Sequence, residues 1–174
     1  GGVRVPGVIE WPAMIKPRVT TYPACVMDLF PTVVDIVGLR ESVTIKPLDG
    51  LSLKPLFARE IPERRAPIGF RYTSQRALVD DRYKLLTANL AGGKFELYDL
   101  IADPKESRDL SAGKPEVFAQ MKQRLLAWDA TMDASFAGKD YPEGRVVPPD
   151  PEPVAWYETP QYQPFLAQWK ERWE

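Results

Sequence analysis

Apolar and polar residues change period along the 174-residue chain, and each change marks an element. Between positions 68 and 100 the period is two. Ile68–Tyr72 reads as one strand, and Arg76–Thr87 reads as two strands around a turn at Asp80–Arg82. Residues 94–100 alternate strictly: Phe95, Leu97 and Asp99 face one way, Glu96, Tyr98 and Leu100 the other. Gly92-Gly93 predicts a hairpin turn before Phe95. The result is an antiparallel meander of about four strands. From 115 onward the period is helical. Phe118, Met121, Leu125, Trp128 and Met132 fall at alternating spacings of three and four, one continuous apolar stripe. Pro115 suits the first helical position, Glu116 the positive end and Gly138 the stop. A helix over 115–135 is about 30 Å long, enough to lie across one face of the sheet. The fold class is therefore α+β.

The flanking stretches are less regular. Residues 3–11 read as an extended segment, with Val8-Ile9 after Pro6-Gly7 as its strand-like part. Asp28–Gly38 reads as a short helix, with Asp28 as N-cap, Pro31 in the first turn and Gly38 as stop. Leu29, Val33, Ile36 and Val37 would share its buried face. Residues 49–58 read as a turn and a short helical turn. Past Gly138, Pro142, Pro148, Pro149, Pro151, Pro153 and Pro160 keep 142–160 irregular. Residues 161–173 predict a last short helix with Phe165, Leu166 and Trp169 on one face. The aromatic content of this tail is too high for a disordered segment, so it should pack on something. These changes divide the chain into 1–60, 61–138 and 139–174.

Composition narrows the chemistry. At 44% hydrophobic the chain can build a core, and with 23 basic and 24 acidic residues no bulk charge draws it to nucleic acid or an anionic membrane. No apolar run approaches the ~18 residues of a membrane span. There is no histidine, which excludes Ser-His-Asp, Cys-His and His-ligated zinc chemistry within this chain. The one cysteine, Cys25, has no basic neighbour in sequence to activate it and reads as a small buried hydrophobe. Asp80-Asp81 could be a metal pair, but aspartate favours turns and further oxygen ligands are not evident. Asp99, Asp103, Glu106 and Asp109 read as a loop. Asn89 precedes Leu-Ala, so it is no glycosylation sequon. The opening Gly1-Gly2-Val3, without methionine or signal peptide, fits a trimmed chain or part of something longer.

Three local patterns resemble the sulfatase family. Gly1-Gly2-Val3-Arg4-Val5-Pro6, followed by Val8-Ile9-Glu10-Trp11-Pro12, resembles the stretch that enters a strand in sulfatases. Asp28–Leu39, with Leu48-Asp49-Gly50-Leu51 after it, is similar to the family's helix and leucine-aspartate-glycine segment. Tyr83-Lys84-Leu85, then Glu96–Leu100 and Asp103-Pro104-Lys105-Glu106, looks like its C-terminal meander. The match runs over roughly the first 130 residues, and the last 40 match nothing recognisable.

The resemblance implies the C-terminal portion of an alkaline-phosphatase-like fold, with residues 1–60 ending a larger α/β domain. It implies a parent that hydrolyses sulfate esters with formylglycine and calcium. The family makes formylglycine from a cysteine in a cysteine-x-proline-x-arginine motif, and Cys25-Val26-Met27-Asp28-Leu29 does not match it. The calcium ligands, a sulfate-contacting lysine and two assisting histidines fall outside this chain. The chain is thus expected to hold no catalytic residue, cofactor or metal of its own, and its partner is the missing N-terminal catalytic domain. Without that cover, Val8, Ile9, Val33 and Ile36 are expected to leave apolar surface open to self-association. Family habit favours an extracytoplasmic location. Arg4 could reach the parent's cleft, and Tyr72 and Arg76, beside Gln75, could wall it. Two rivals stand: a phosphate or phosphonate ester hydrolase of the same superfamily, and a glycan-binding module whose tail aromatics stack on sugar rings.

Overall fold

The structure, a computed structural model, describes residues 5–40, 42, 44, 46–140 and 154–170. The chain forms two compact units, 1–144 and 145–174.

The first unit is organised by the expected meander. Strands β1 (Ile68–Tyr72), β2 (Gln75–Asp80), β3 (Tyr83–Thr87) and β4 (Phe95–Asp99) lie in chain order, each antiparallel to the next. Thr73-Ser74 and Asp81-Arg82 make the two tight connections. Thr73 (φ 48°) and Asp81 (φ 47°) take the left-handed conformation that these turns demand. The third connection differs from the expected two-residue hairpin. Gly92-Gly93 instead closes a longer loop over 88–94, in which the Gly93 amide donates to the Asn89 carbonyl at 2.7 Å. A Cβ on Gly93 would stand 2.3 Å from that oxygen, so glycine is required by the close approach.

Register sets the two faces. Gly69, Leu78, Leu85 and Leu97 form one row across the sheet, and Arg71, Arg76, Thr87 and Phe95 the next on the same face. Helix α3 (Pro115–Phe136) covers this face. Leu78, Leu85, Leu97, Met121 and Leu125 form the core, with Phe118 and Trp128 packed against it. Each such leucine contributes about 1.5–3 kcal/mol by leaving water. The periodic stripe of the sequence is this contact. Gly69 leaves the socket for Trp128: a Cβ there would lie 2.1 Å from the indole ring. Gly138, at φ 77°, follows the helix end as expected.

Residues before the meander are held differently. The strand expected within 3–11 is absent over the described residues 5–10, which are exposed and irregular. A strand needs a neighbour to take its backbone hydrogen bonds, and among the described residues no strand pairs with it. A 3-10 turn (Val26–Asp28) leads into α1 (Leu29–Val37), which ends at Gly38 (φ 73°). Asp28 precedes α1 but does not cap it with its side chain. The expected buried face of α1 is also reversed. Leu29, Val33 and Val37 are 53, 57 and 63% exposed, and Ile36 is half-buried. The buried side carries Thr32. Its hydroxyl donates to the Asp28 carbonyl at 2.6 Å and accepts from the Leu53 amide at 2.8 Å. Asp35 reaches Ser52 Oγ at 2.7 Å and Lys54 Nζ at 2.9 Å. The segment ends in the short α2 (Lys54–Ala58), the helical turn expected after the turn at 49–50.

In the second unit, 3-10 turns at Trp156–Glu158 and Gln163–Phe165 lead into α4 (Leu166–Lys170). Trp156 meets Tyr162 and Trp169 with ring centroids 5.4 and 5.7 Å apart, and Phe165 stacks on Trp169 at 5.8 Å. Within this unit the aromatics pack on one another.

Candidate functional site

The sheet face opposite α3 carries the residues that alternate with its core. Phe70, Ala77, Leu86 and Glu96 make one row, and Ile68, Val79, Lys84 and Tyr98 the other. At Ile68, Val79 and Lys84 this face is buried. There Lys84 Nζ donates to Glu106 at 2.7 Å, and both side chains are nearly inaccessible. The other end opens into a groove of about 400 Å³, lined by Phe70, Tyr72, Gln75, Ala77 and Leu86 among others. Tyr72 stands at its rim, 74% exposed.

The cations beside this groove are already engaged. Arg76 is buried on the helix side of β2. Its Nε donates to Asp129, and another guanidinium nitrogen donates to the Thr73 and Gln75 carbonyls at 2.8 and 2.9 Å. Arg71 pairs with Asp133 at 2.7 Å and lies over the Phe136 ring. Of the three residues singled out by sequence, Tyr72 and Arg76 both line the groove, Arg76 with its donors directed into the fold, and Arg4 lies outside the described residues. The alternation contained the signal for Arg76, because it shares a face with Leu78. It equally marked Phe70 and Leu86 as companions of Tyr72.

A second constellation was invisible in sequence. Arg64 and Asp28 are completely buried and form a bidentate pair, with both nitrogen–oxygen distances 2.8 Å. Asp28 also accepts from the Leu51 and Cys25 amides at 2.7 and 2.8 Å. Arg64 Nε donates to the Ala66 carbonyl, and the Arg64 amide donates to Asp81 at 2.7 Å. Burial alone would raise the Asp28 pKa. The Arg64 hydrogen bonds and the two amides outweigh it and hold the carboxyl below the usual aspartate range. Burial first, then the Asp28 carboxylate, pushes the adjacent Cys25 thiol up. Cys25 is therefore a poor nucleophile, although Arg64 lies close in space.

The remaining acids are similarly occupied. Asp80 pairs with Arg124 and Asp81 receives the Arg64 amide, so the Asp-Asp sequence serves a turn. Asp99 accepts from Arg82 and from the Ile101 and Ala102 amides. Asp109 accepts from the Leu97 and Ser111 amides and pairs with Lys94, which holds its pKa far below the usual range despite partial burial. Among the described residues no three potential ligands converge as a metal site would require. The donor set of the described residues does not fit calcium.

Residues 1–131 match the family described as N-sulphoglucosamine sulphohydrolase, C-terminal. The chain belongs to that family and is the C-terminal portion of a sulfatase. It is 47% identical over 57 residues to human arylsulfatase D, covering 32% of this chain and 9% of that protein. It is 37% identical over 73 residues to rat steryl-sulfatase, covering 41% of this chain and 12% of that protein. A sulfatase of Formosa agariphila aligns over 156 residues at 26% identity, covering 74% of this chain and 27% of its own length. The chain thus spans about a quarter or less of the curated relatives it matches. Among solved structures, one from work on glycosaminoglycan metabolism by Bacteroides thetaiotaomicron superposes with TM-score 0.54 at 21% identity, covering 69% of this chain and 28% of that one. A Bacteroides fragilis protein assigned as a sulfatase gives 0.52 at 22%, covering 68% and 27%. The fold is that of the C-terminal portion of alkaline-phosphatase-like sulfatases.

Proposed function

We propose that the longer protein to which this portion belongs hydrolyses a sulfate ester, and that the open end of the β1–β3 face walls its substrate cleft. Formylglycine and calcium are assigned to segments other than this one. The family match over residues 1–131 carries the reading. The occupied acids, the unactivated Cys25 and the absence of histidine support a portion that shapes the cleft without supplying nucleophile, base or metal ligand. Tyr72 is the side chain best placed to meet substrate, since it is exposed at the groove rim and its ring is not used by the core.

Release of nitrophenol from 4-nitrophenyl sulfate, with calcium present, tests this. The longer protein should turn the ester over and the 174-residue chain alone should not. In the longer protein Tyr72→Ala should raise KM with the melting temperature unchanged. Turnover by the isolated chain, surviving repurification, would overturn the reading. So would a longer protein that cleaves phenylphosphonate and leaves sulfate esters intact.

A further inference from the structure

The groove on the β1–β3 face has a shape and a charge that restrict what can lie in it. Phe70, Ala77 and Leu86 stand side by side in one row across three strands. Neighbouring strands lie about 4.8 Å apart, so the row is about 10 Å wide. Its middle member is an alanine, and the row dips between the phenyl ring and the leucine. All three are half-buried, while Tyr72 and Gln75, paired across the turn, are exposed at the open end. The volume of about 400 Å³ lies in the range of small-molecule sites.

The three cations that line the groove are all paired within the chain. Arg71 meets Asp133 at 2.7 Å, and Arg76 is held by Asp129 on the helix side of the sheet. Lys84, whose side chain shares the groove face, lies 2.7 Å from Glu106. Beyond Leu86 the same row continues to Glu96. There one ammonium, that of Lys94, serves two carboxylates, Glu96 at 3.3 Å and Asp109 at 3.1 Å, so this edge is acidic. An anion laid on such a surface gives up water and meets no unpaired cation. A flat apolar ring gains by leaving water, and its edge can meet the faces of Phe70 and Tyr72. The Gln75 amide can serve an uncharged polar substituent.

We propose that this groove takes the alcohol moiety of the sulfate ester and selects one that is flat, apolar and uncharged over one that carries a carboxylate or a second sulfate. Phe70 and Leu86 set the shape, and the Lys84–Glu106 pair withholds the charge. The identity of the ester rests on the sulfatase reading; the preference of the groove rests on its lining.

Two esters that differ by a single charge remote from the sulfate test this in the longer protein: 2-naphthyl sulfate and its 6-carboxylate. At neutral pH kcat/KM should be about tenfold or more lower for the carboxylate ester. Phe70→Ala should lower kcat/KM for 2-naphthyl sulfate several-fold through KM. Gln75→Lys, a change at an exposed position, should raise kcat/KM for the carboxylate ester several-fold. Equal turnover of the two esters, or preference for the carboxylate, would overturn the proposal. So would a gap that both variants leave untouched. Should neither ester be cleaved, the sulfatase reading fails and the groove is judged by binding of the two alcohols in equilibrium dialysis. Retention of 2-naphthol without 6-hydroxy-2-naphthoate then sustains the assigned preference, and retention of both or neither overturns it.

Discussion

Residues 68–136 and residues 5–66 solve the same problem in opposite ways. The meander and α3 close on leucines between layers, with the buried pairs Arg76–Asp129 and Lys84–Glu106 beside that core. The earlier stretch places its charged pair at the centre and its apolar helix face outside. Arg64 and Asp28 are its most buried side chains, while Leu29 and Val33 meet water. A region that closes on leucines is complete in itself. A region with a salt bridge at its centre leaves its hydrophobic helix face exposed. Buried ion pairs add little net stability but penalise every arrangement that separates them. Such a pair can therefore fix the position of α1 without consuming its apolar side.

That contrast can be broken at several points. The largest effect should come from Arg64→Met, which leaves Asp28 buried without its partner. It should cost about 3–5 kcal/mol, with part recovered by adding Asp28→Asn. Urea unfolding of both variants measures this, and a loss under about 1 kcal/mol would remove the clasp from the account. In the meander, Leu125→Ala should cost about 2–5 kcal/mol, since its side chain has no exposed surface. An unchanged melting temperature would show that α3 does not seal the core. Gly69→Ala drives a methyl into Trp128 and should cost about 1–3 kcal/mol, visible as a change in tryptophan fluorescence on the same melt.

Acid should act on both regions. The carboxyls of Asp28, Asp99, Asp103 and Asp109 are all held below their usual pKa. A depressed folded-state pKa gives stability that is full above the unfolded value, near 4, and is lost as pH falls below it. Melting temperature should be level at neutral pH and decline below about pH 4, with a shallower decline in Asp99→Asn. Stability that rises on acidification would contradict these pairings. The smallest effect belongs to Val33→Asp in the 174-residue chain. An exposed substitution there should change stability by no more than about 0.5 kcal/mol. In the longer protein the same change should lower the yield of folded material, which would separate the two regions by their dependence on a neighbour.

The meander and α3 were legible because each position carries its own signal. Alternation fixed Leu78, Leu85 and Leu97 on one face, and the three-four spacing fixed Met121 and Leu125 against them. Residues 5–60 were legible only as local propensity. The apolar positions of α1 were correctly grouped, but pattern cannot say whether a face meets the same chain or another one. Asp28 looked like a helix cap because aspartate before a helix usually is one. Its actual partner lies at position 64, and a pairing at that separation leaves no periodic trace. In the groove, the exposure of Tyr72 could be guessed from its place at a strand end beside a turn. The engagement of Arg76 depended on Asp129 of α3, so it needed the tertiary structure. The lack of histidine was read from composition, and the geometry around Cys25 added a reason its thiol is a poor nucleophile.

Gly50 has a consequence for how this part of the chain can vary in length. A Cβ on it would stand 1.9 Å from the Met27 carbonyl oxygen, so the backbone at 50 is seated directly on the turn that enters α1. The next amide, Leu51, is tied to Asp28. Both ends of the connection from Gly38 to Gly50 are thus anchored, one by the left-handed helix end and one by this seat. Residues inserted within that connection leave both anchors in place. A single residue inserted between Gly50 and Leu53 shifts the amides that serve Asp28 and Thr32 and dismantles both. Homologous chains should therefore differ in length before position 49 and keep a constant count from there to Leu53.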